Sequence, residues 1–159
     1  MSFAILITEM TQAAARGDAH AVRACFTADG VYHECFYGSF AGDAIIDMVE
    51  NYYFRDACDF RWDIHAPVSD GNLGYARYVF SYESKLPEYQ GRRGGFEGVA
   101  ICELRDGKIA SYREVANALV GLRAVGFPPA RLAKIAQREA DEFFARDEAR
   151  GHRPLVNAR

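Results

Sequence analysis

Two periods of apolar residues run along the chain, and each predicts a different kind of element. From Phe3 to Arg16 the apolar side chains recur every three or four positions, which is the spacing of one helix face. Gly17 ends this helix, and Asp18 is placed to cap a short second helix. Asp43 is placed to cap a third. The buried residues expected on the second and third helices are Val22, Cys25, Phe26, Ile45, Ile46, Val49, Tyr52 and Tyr53.

A period of two predicts the strands. Between the second and third helices, a turn at residues 28–30 leads into a short strand with the sequence VYHE. From Phe60 the alternation returns, and the turn sequences SDGN and RDG help to divide this region into four long strands. Past Asn117 the spacing is helical again, and Pro128-Pro129 precedes a long amphipathic helix.

This order of elements predicts an α+β fold in which helices cover one side of a curved, antiparallel or mixed sheet. Such a sheet forms a cone-shaped α+β barrel, with the N-terminal helices on its concave side and a helical extension at the C-terminus. The chain has 159 residues, about the length of one ordinary domain. We expect residues 1–127 to form this domain and residues 128–159 to add an amphipathic helix and a tail, frayed from Gly151.

Composition and charge exclude several classes of partner. The net charge of −3 leaves no basic surface for a phosphate backbone, so we expect no nucleic acid partner. No apolar run reaches the roughly 20 residues of a membrane span, and the opening residues lack the basic flank of a signal peptide. We therefore expect a cytoplasmic protein without a membrane partner. The cysteines form no CxxC pair and no HExxH is present, so we expect no metal and no cofactor.

Three segments resemble a known family. They are AARGDAHAVRACFTADGVYHE, GSFAGDAI and ELRDGKIASYREVAN, which are similar to the opening, the middle and the closing hairpin of the nuclear transport factor 2-like superfamily, and of its SnoaL-like domains in particular. The resemblance covers residues 3 to about 125. This superfamily includes polyketide cyclases, ketosteroid isomerase, limonene epoxide hydrolase, dehydratases and members without known catalysis. The resemblance therefore implies a pocket for a small hydrophobic molecule but no single activity.

The resemblance also points to candidate site residues. Tyr32 and Glu34 share one face of the first strand, and Tyr112 and Glu114 share one face of the last. The match to related proteins puts both glutamates in the pocket, and it puts Arg77 where the epoxide hydrolase has an arginine. We expect the glutamates to exchange a proton while Arg77 and Tyr112 orient substrate oxygens. The expected substrate-binding residues are Tyr32, Tyr112, Tyr75 and Phe96.

Two catalytic sets of the superfamily are incomplete in this sequence. Val79 stands where the epoxide hydrolase needs an aspartate, and Met10 and Ala100 stand where ketosteroid isomerase holds the enolate oxygen. The first remaining hypothesis is a cofactor-free lyase, isomerase or cyclase that uses acid–base catalysis. The second is a non-catalytic module for ligand binding or dimeric assembly, in which Arg77 only neutralises Glu114.

Two further expectations concern the faces of the sheet. His33 lies between Tyr32 and Glu34, so alternation turns it to the opposite face, unless a bulge reverses that assignment. The strands are apolar on both faces, which predicts a homodimer through the outer face, unless the C-terminal amphipathic helix covers that face or closes the cone. The outer-face residues expected there are Tyr78, Phe80, Tyr82, Val99 and Ile101.

Overall fold

The computed structural model describes residues 1–152. Residues Met1–Gly126 form one compact unit, and a second unit begins at Phe127. The tail that was expected to fray from Gly151 lies outside the described residues, except for Gly151 and His152, which belong to a 3₁₀ helix. None of the helices within residues 1–152 has the length and apolar character needed to cross a membrane. The cytoplasmic location stays a prediction.

The first unit contains five α-helices and six strands among its described residues. The α-helices are α1 (Phe3–Arg16), α2 (Ala19–Ala24), α3 (Ala44–Asp47), α4 (Phe54–Asp56) and α5 (Ala118–Val125). A π-helical segment (Met48–Tyr53) joins α3 to α4, and a 3₁₀ turn covers Pro87–Tyr89. The strands are β1 (Phe26–Glu34), β2 (Gly38–Ala41), β3 (Ala57–Ser69), β4 (Leu73–Ser84), β5 (Arg93–Arg105) and β6 (Lys108–Ala116). The second unit contains α6 (Pro129–Ala145) and a 3₁₀ helix (Asp147–His152).

Local capping explains the N-terminal helices. The Ser2 side chain accepts a hydrogen bond from the Ile5 N–H at the start of α1, and Gly17 ends the helix with a φ of 78°. The Asp18 carboxylate accepts the Ala21 N–H and begins α2. Asp43 precedes α3 but makes no cap bond. The predicted helix end at Gly17 and the predicted cap at Asp18 are confirmed, and the predicted cap at Asp43 is wrong.

The sheet is mixed, in the order β2-β1-β6-β5-β4-β3. All neighbours pair antiparallel except β1 and β6, which run parallel. The predicted α+β fold, with helices and a curved sheet, is confirmed. Three details differ from the expectation. Phe26 begins β1 instead of ending a helix, and residues 28–30 lie within β1 because a register shift against β6 accommodates them. The short strand β2 was not expected.

Burial on β4 corrects the expected facing of this strand. Tyr75 and Arg77 are exposed. The residues that were expected outside, but are buried or packed against the core, are Tyr78, Phe80 and Tyr82. The Phe3 ring of α1 lies over Gly74, where a Cβ would be 2.5 Å from it, so Gly74 belongs to the inner face. Because side chains alternate along a strand, Tyr75 and Arg77 must then point outward.

Candidate functional site

The parallel pairing of β1 and β6 brings the two candidate carboxylates together. Tyr32 lies directly opposite Tyr112 in the register of these strands. Glu34 and Glu114 each follow two positions later, so both side chains leave the same face of the sheet. A carboxylate oxygen of each glutamate and the Sγ atom of Cys35 all lie within 4.8 Å of one another. The structure therefore groups two acids and a thiol at one point on the inner face.

Glu34 is held by the turn that follows its own strand. Its Oε2 atom accepts hydrogen bonds from the backbone N–H of Phe36, at 2.6 Å, and of Tyr37, at 2.8 Å. The Cys35 thiol donates to Oε1 at 3.6 Å. Only 8% of Glu34 is exposed. The turn between β1 and β2 thus folds back over its carboxylate and closes it off from water.

Glu114 is held by two tyrosine hydroxyls. Tyr78, on β4, donates a hydrogen bond to Oε2, and Tyr112 donates to the same oxygen at 3.3 Å. Both tyrosines are fully buried. Tyr32, also fully buried, packs against Tyr112 with the rings tilted and their centroids 4.4 Å apart, and it accepts a hydrogen bond from the Tyr53 hydroxyl of the π-helical segment. The carboxylate therefore lies at the end of a cluster of tyrosines.

Neither carboxylate pairs with a cation among the described residues. Within residues 1–152, no arginine, lysine or histidine forms an ion pair with Glu34 or Glu114. Burial and the neighbouring Glu114 raise the pKa of Glu34 from 4.5 to about 7, although its backbone hydrogen bonds act in the opposite direction. Burial also raises the pKa of Glu114, against the hydrogen bonds from Tyr78, Cys35 and Tyr112. The pair therefore retains a proton far closer to neutral pH than ordinary carboxyl groups do.

Cys35 is part of this cluster but is not an activated thiol. Burial, followed by the two nearby glutamates, raises the pKa of Cys35 well above its usual value. Glu34, Cys35 and Glu114 are the group of described residues that could hold a metal ion. A metal ion bound here would have to displace the proton of this thiol, because metal binding requires the thiolate.

Half-buried aromatic rings in contact with one another form a rim that adjoins the cluster at Phe36 and Tyr37. Its members include Phe36, Tyr37, Tyr52, Tyr53, Phe60, Trp62, Phe80 and Tyr82. The Tyr37 hydroxyl donates to Asp56, whose carboxylate also accepts two hydrogen bonds from Arg55. Phe96, one of the expected substrate-binding residues, is buried against Phe36 and Phe80. Flat apolar molecules are the ligands that suit such a surface.

Arg77 and Tyr75 do not join this site. Arg77 forms an ion pair with Glu97 on the outer face, with 3.3 Å between Nη1 and Oε2, and half of its side chain is exposed. Tyr75 is 42% exposed on the same face. The placement of both residues in the pocket is therefore wrong, and so is the pairing of Arg77 with Glu114. The reason is that the contact between Phe3 and Gly74 turns the even-numbered residues of β4 inward and the odd-numbered ones outward.

His33 lies on the face opposite the two glutamates. It is exposed, and its Nδ1 atom lies 2.8 Å from Ser39 Oγ on β2. The side chains therefore alternate between the two faces of β1 at this point, as expected. The residues of the site that the sequence analysis missed are Cys35, Tyr78 and Trp62. For Tyr78 a signal was present in the sequence, since the strand glycine Gly98 indicates a close approach by another side chain.

Gly98 leaves the space that Tyr78 needs to reach Glu114. Gly98 on β5 lies directly opposite Tyr78 on β4, and a Cβ at position 98 would overlap the hydroxyl group of Tyr78. We expect G98A to lower the free energy of unfolding by about 2 kcal/mol, because a buried tyrosine must move. Urea denaturation measures this loss. The control is G151A, where a Cβ meets no atom within 4 Å; equal stability of the two variants would contradict this role for Gly98.

Comparisons with known proteins agree with this architecture. The model of the SnoaL-like domain family matches residues 7–112. No curated protein matches the sequence. A protein with a ketosteroid isomerase-like fold from Catenulispora acidiphila, solved with trimethylamine, has a TM-score of 0.68 at 17% identity, and the match covers 77% of this chain and 93% of that one.

Two further solved structures carry the names of enzymes. IdmH from Streptomyces antibioticus, a proposed polyketide cyclase, has a TM-score of 0.65 at 17% identity, with coverage of 78% of this chain and 98% of that one. An LEH-like epoxide hydrolase from M. tuberculosis has a TM-score of 0.61 at 16% identity, with coverage of 76% and 86%. At such low identities these likenesses show the fold alone.

Proposed function

Because the chain belongs to the SnoaL-like domain family, we propose that it binds a small hydrophobic carbonyl compound and moves a proton on it by acid–base catalysis. The proton passes between the substrate and the pair of Glu34 and Glu114, and no cofactor takes part. The product is an isomer, a cyclised compound or the result of an elimination. This proposal keeps the two glutamates of the sequence analysis and leaves out Arg77.

The observation that carries the proposal is the burial of two adjacent carboxyl groups without a cation. Two like charges this close in a water-poor site cannot both form readily, so one group stays protonated while the other is ionised. One site then contains a general acid and a general base near neutral pH. A structural ion pair, the simplest alternative, is excluded for the described residues because Arg77 pairs with Glu97.

Solvent deuterium exchange tests the proposal without knowledge of the product. A base that removes a proton next to a carbonyl group lets D₂O replace that proton, and NMR follows the loss of its signal. We expect the protein to accelerate this exchange in 1-tetralone or 2-acetylnaphthalene at pD 7. Binding of these ketones without any acceleration over the heat-denatured protein would contradict catalysis on this substrate class.

A non-catalytic binding or assembly module is the second candidate. It is supported by the filling of the interior, since Tyr32, Tyr78 and Tyr112 are all fully buried. A ligand must therefore displace half-buried rings such as Phe36 before it reaches the glutamates. Ketone binding without deuterium exchange would favour this second candidate.

We also propose a homodimer through the outer face of the sheet, which keeps Val99 of the residues first expected there and leaves out Tyr78, Phe80 and Tyr82. Val99 lies between Arg77 and Val115 in the strand register, and the exposed apolar residues on this face include Leu73, Tyr75, Val79, Val99 and Val115. Burial of apolar surface stabilises a protein by about 25 cal/mol per Å², so covering several large apolar side chains with a second copy contributes a few kcal/mol to the free energy of association. A two-fold contact is the simplest closed arrangement, and it brings Arg77 and Glu97 of both copies to one interface.

Sedimentation velocity tests the dimer. Wild-type protein is expected to sediment as two chains of 17.7 kDa, and V99K as one, because the lysine charge would be buried against the second copy. The matched control is V120K, at an exposed valine of α5. A wild-type monomer at micromolar concentration, or a V99K variant that remains dimeric, would contradict this interface.

A further inference from the structure

The indole N–H of Trp62 is a buried donor without an acceptor. Among the buried side-chain nitrogen and oxygen atoms of residues 1–152, Trp62 Nε1 is the one without a hydrogen-bond partner. Burying such a donor unpaired costs about 1–3 kcal/mol, and native structures rarely tolerate it without a reason. Aromatic packing alone could be supplied by phenylalanine. The nitrogen therefore requires a separate explanation.

Trp62 lies beside the carboxylate cluster and within the aromatic rim. It is opposite Phe80 in the register of β3 and β4, and Phe80 is opposite Phe96 on β5. These three residues form a row of rings across the inner face of the sheet. The Trp62 ring also contacts Tyr78 edge to face, with 5.7 Å between ring centroids. Since the Tyr78 hydroxyl donates to Glu114, one tyrosine ring separates the indole from the proposed acid–base pair.

We propose that the Trp62 N–H donates a hydrogen bond to the carbonyl oxygen of the ligand, whose flat ring lies against the row formed by Trp62, Phe80 and Phe96. The inference rests on the proposed function for its substrate class. The acceptor of the ligand pairs the orphaned donor, and its ring replaces contacts among half-buried aromatic residues. The ligand class is thus an aromatic or fused-ring ketone, and a hydrocarbon of the same shape leaves the indole unpaired.

This hydrogen bond gives Trp62 a role in the proposed proton transfer. When the ionised carboxylate takes a proton from the carbon next to the carbonyl, the electron pair of that C–H bond forms a C=C bond. The π electrons of the carbonyl group move to its oxygen, which becomes an enolate. A hydrogen-bond donor at this oxygen stabilises the developing charge. Return of a proton to carbon or oxygen completes the step, and no oxidant or reductant is required.

The single tryptophan makes the proposed hydrogen bond directly observable. The chain has one Trp, so its indole ¹⁵N–¹H correlation is unique. We expect this proton resonance to move downfield when 2-acetylnaphthalene binds, because a new acceptor faces it. The matched ligand is 2-isopropylnaphthalene, which has the same ring system and a substituent of similar size without the oxygen, and it should leave the resonance without that downfield shift. Equal changes with both ligands, or binding of neither, would overturn the proposal.

W62F removes the donor and keeps an aromatic ring. We expect this variant to bind 2-acetylnaphthalene about tenfold more weakly, which is the loss of one hydrogen bond, and to bind 2-isopropylnaphthalene unchanged. The exchange rate of the bound ketone should fall about 10²-fold. If W62F exchanges the protons of the bound ketone at the wild-type rate, this role of Trp62 is wrong but the proposed function is not. A carbonyl-dependent indole shift without any exchange would contradict the proposed function and support the hydrogen bond.

Discussion

In the E114Q variant, deuterium exchange of a bound ketone is expected to be 10²–10⁴-fold slower than in the wild-type protein, which is the range that one general acid or base contributes. Glutamine can still accept the hydroxyl hydrogen bonds of Tyr78 and Tyr112, so the surrounding structure is preserved. It cannot take up or release a proton. E34Q should lose a similar factor, because the proposed chemistry needs both carboxyl groups.

The matched control for this experiment is R77Q. Arg77 pairs with Glu97 on the outer face, so the variant should exchange ketone protons at the wild-type rate. Circular dichroism at the assay temperature checks that each variant is folded. Loss of exchange in R77Q together with full activity in E114Q would contradict the site and would favour the arginine that the sequence resemblance first suggested.

The E34Q variant is expected to be more stable than the wild-type protein at pH 8, by about 3 kcal/mol. The pKa of Glu34 is raised from 4.5 to about 7, so the folded protein binds the proton more tightly than the unfolded chain does. The free energy of unfolding of the wild type therefore falls as the pH rises from about 4.5 to about 7, and it is constant above that range. Glutamine does not titrate, so the variant does not lose this part of its free energy of unfolding as the pH rises.

Urea denaturation at several pH values measures this effect at one fixed protein concentration. The difference between E34Q and the wild type should be close to zero near pH 4.5 and should reach its full size by pH 8. E103Q is the control, because Glu103 is exposed. An E34Q variant that is less stable at every pH would show that the anion of Glu34 is needed to hold the turn formed by Phe36 and Tyr37.

Alternation along two strands was enough to place both glutamates on one face of their own strands. Tyr32 and Glu34 differ by two positions, as do Tyr112 and Glu114, and a period of two is a local property. The parallel contact between β1 and β6 was not available from the sequence. It joins residues 80 or more positions apart in the chain, and only that contact brings the two carboxylates within 4.8 Å of Cys35 and of each other.

Which face of β4 points inward could not be predicted from the sequence, for a different reason. This strand is apolar at odd and even positions alike, so a shift of one residue exchanges its two faces without an obvious penalty. The contact of Phe3 with Gly74 decides between the faces, and that contact depends on how α1 crosses the sheet. The resemblance to the epoxide hydrolase assigned Arg77 to the pocket, alternation then put Tyr78 outside, and both assignments are wrong.

The titration of Glu34 and Glu114 tests the account most directly. ¹³C-labelled glutamate side chains report each carboxyl group by NMR, and the E34Q and E114Q variants assign the two signals by their loss. We predict that one step of the coupled titration has its midpoint near pH 7, and that the midpoint of Glu34 falls in E114Q because a neighbouring negative charge is gone. If both groups titrate below pH 5 in the wild-type protein, they do not share a proton, and the proposed acid–base pair does not exist.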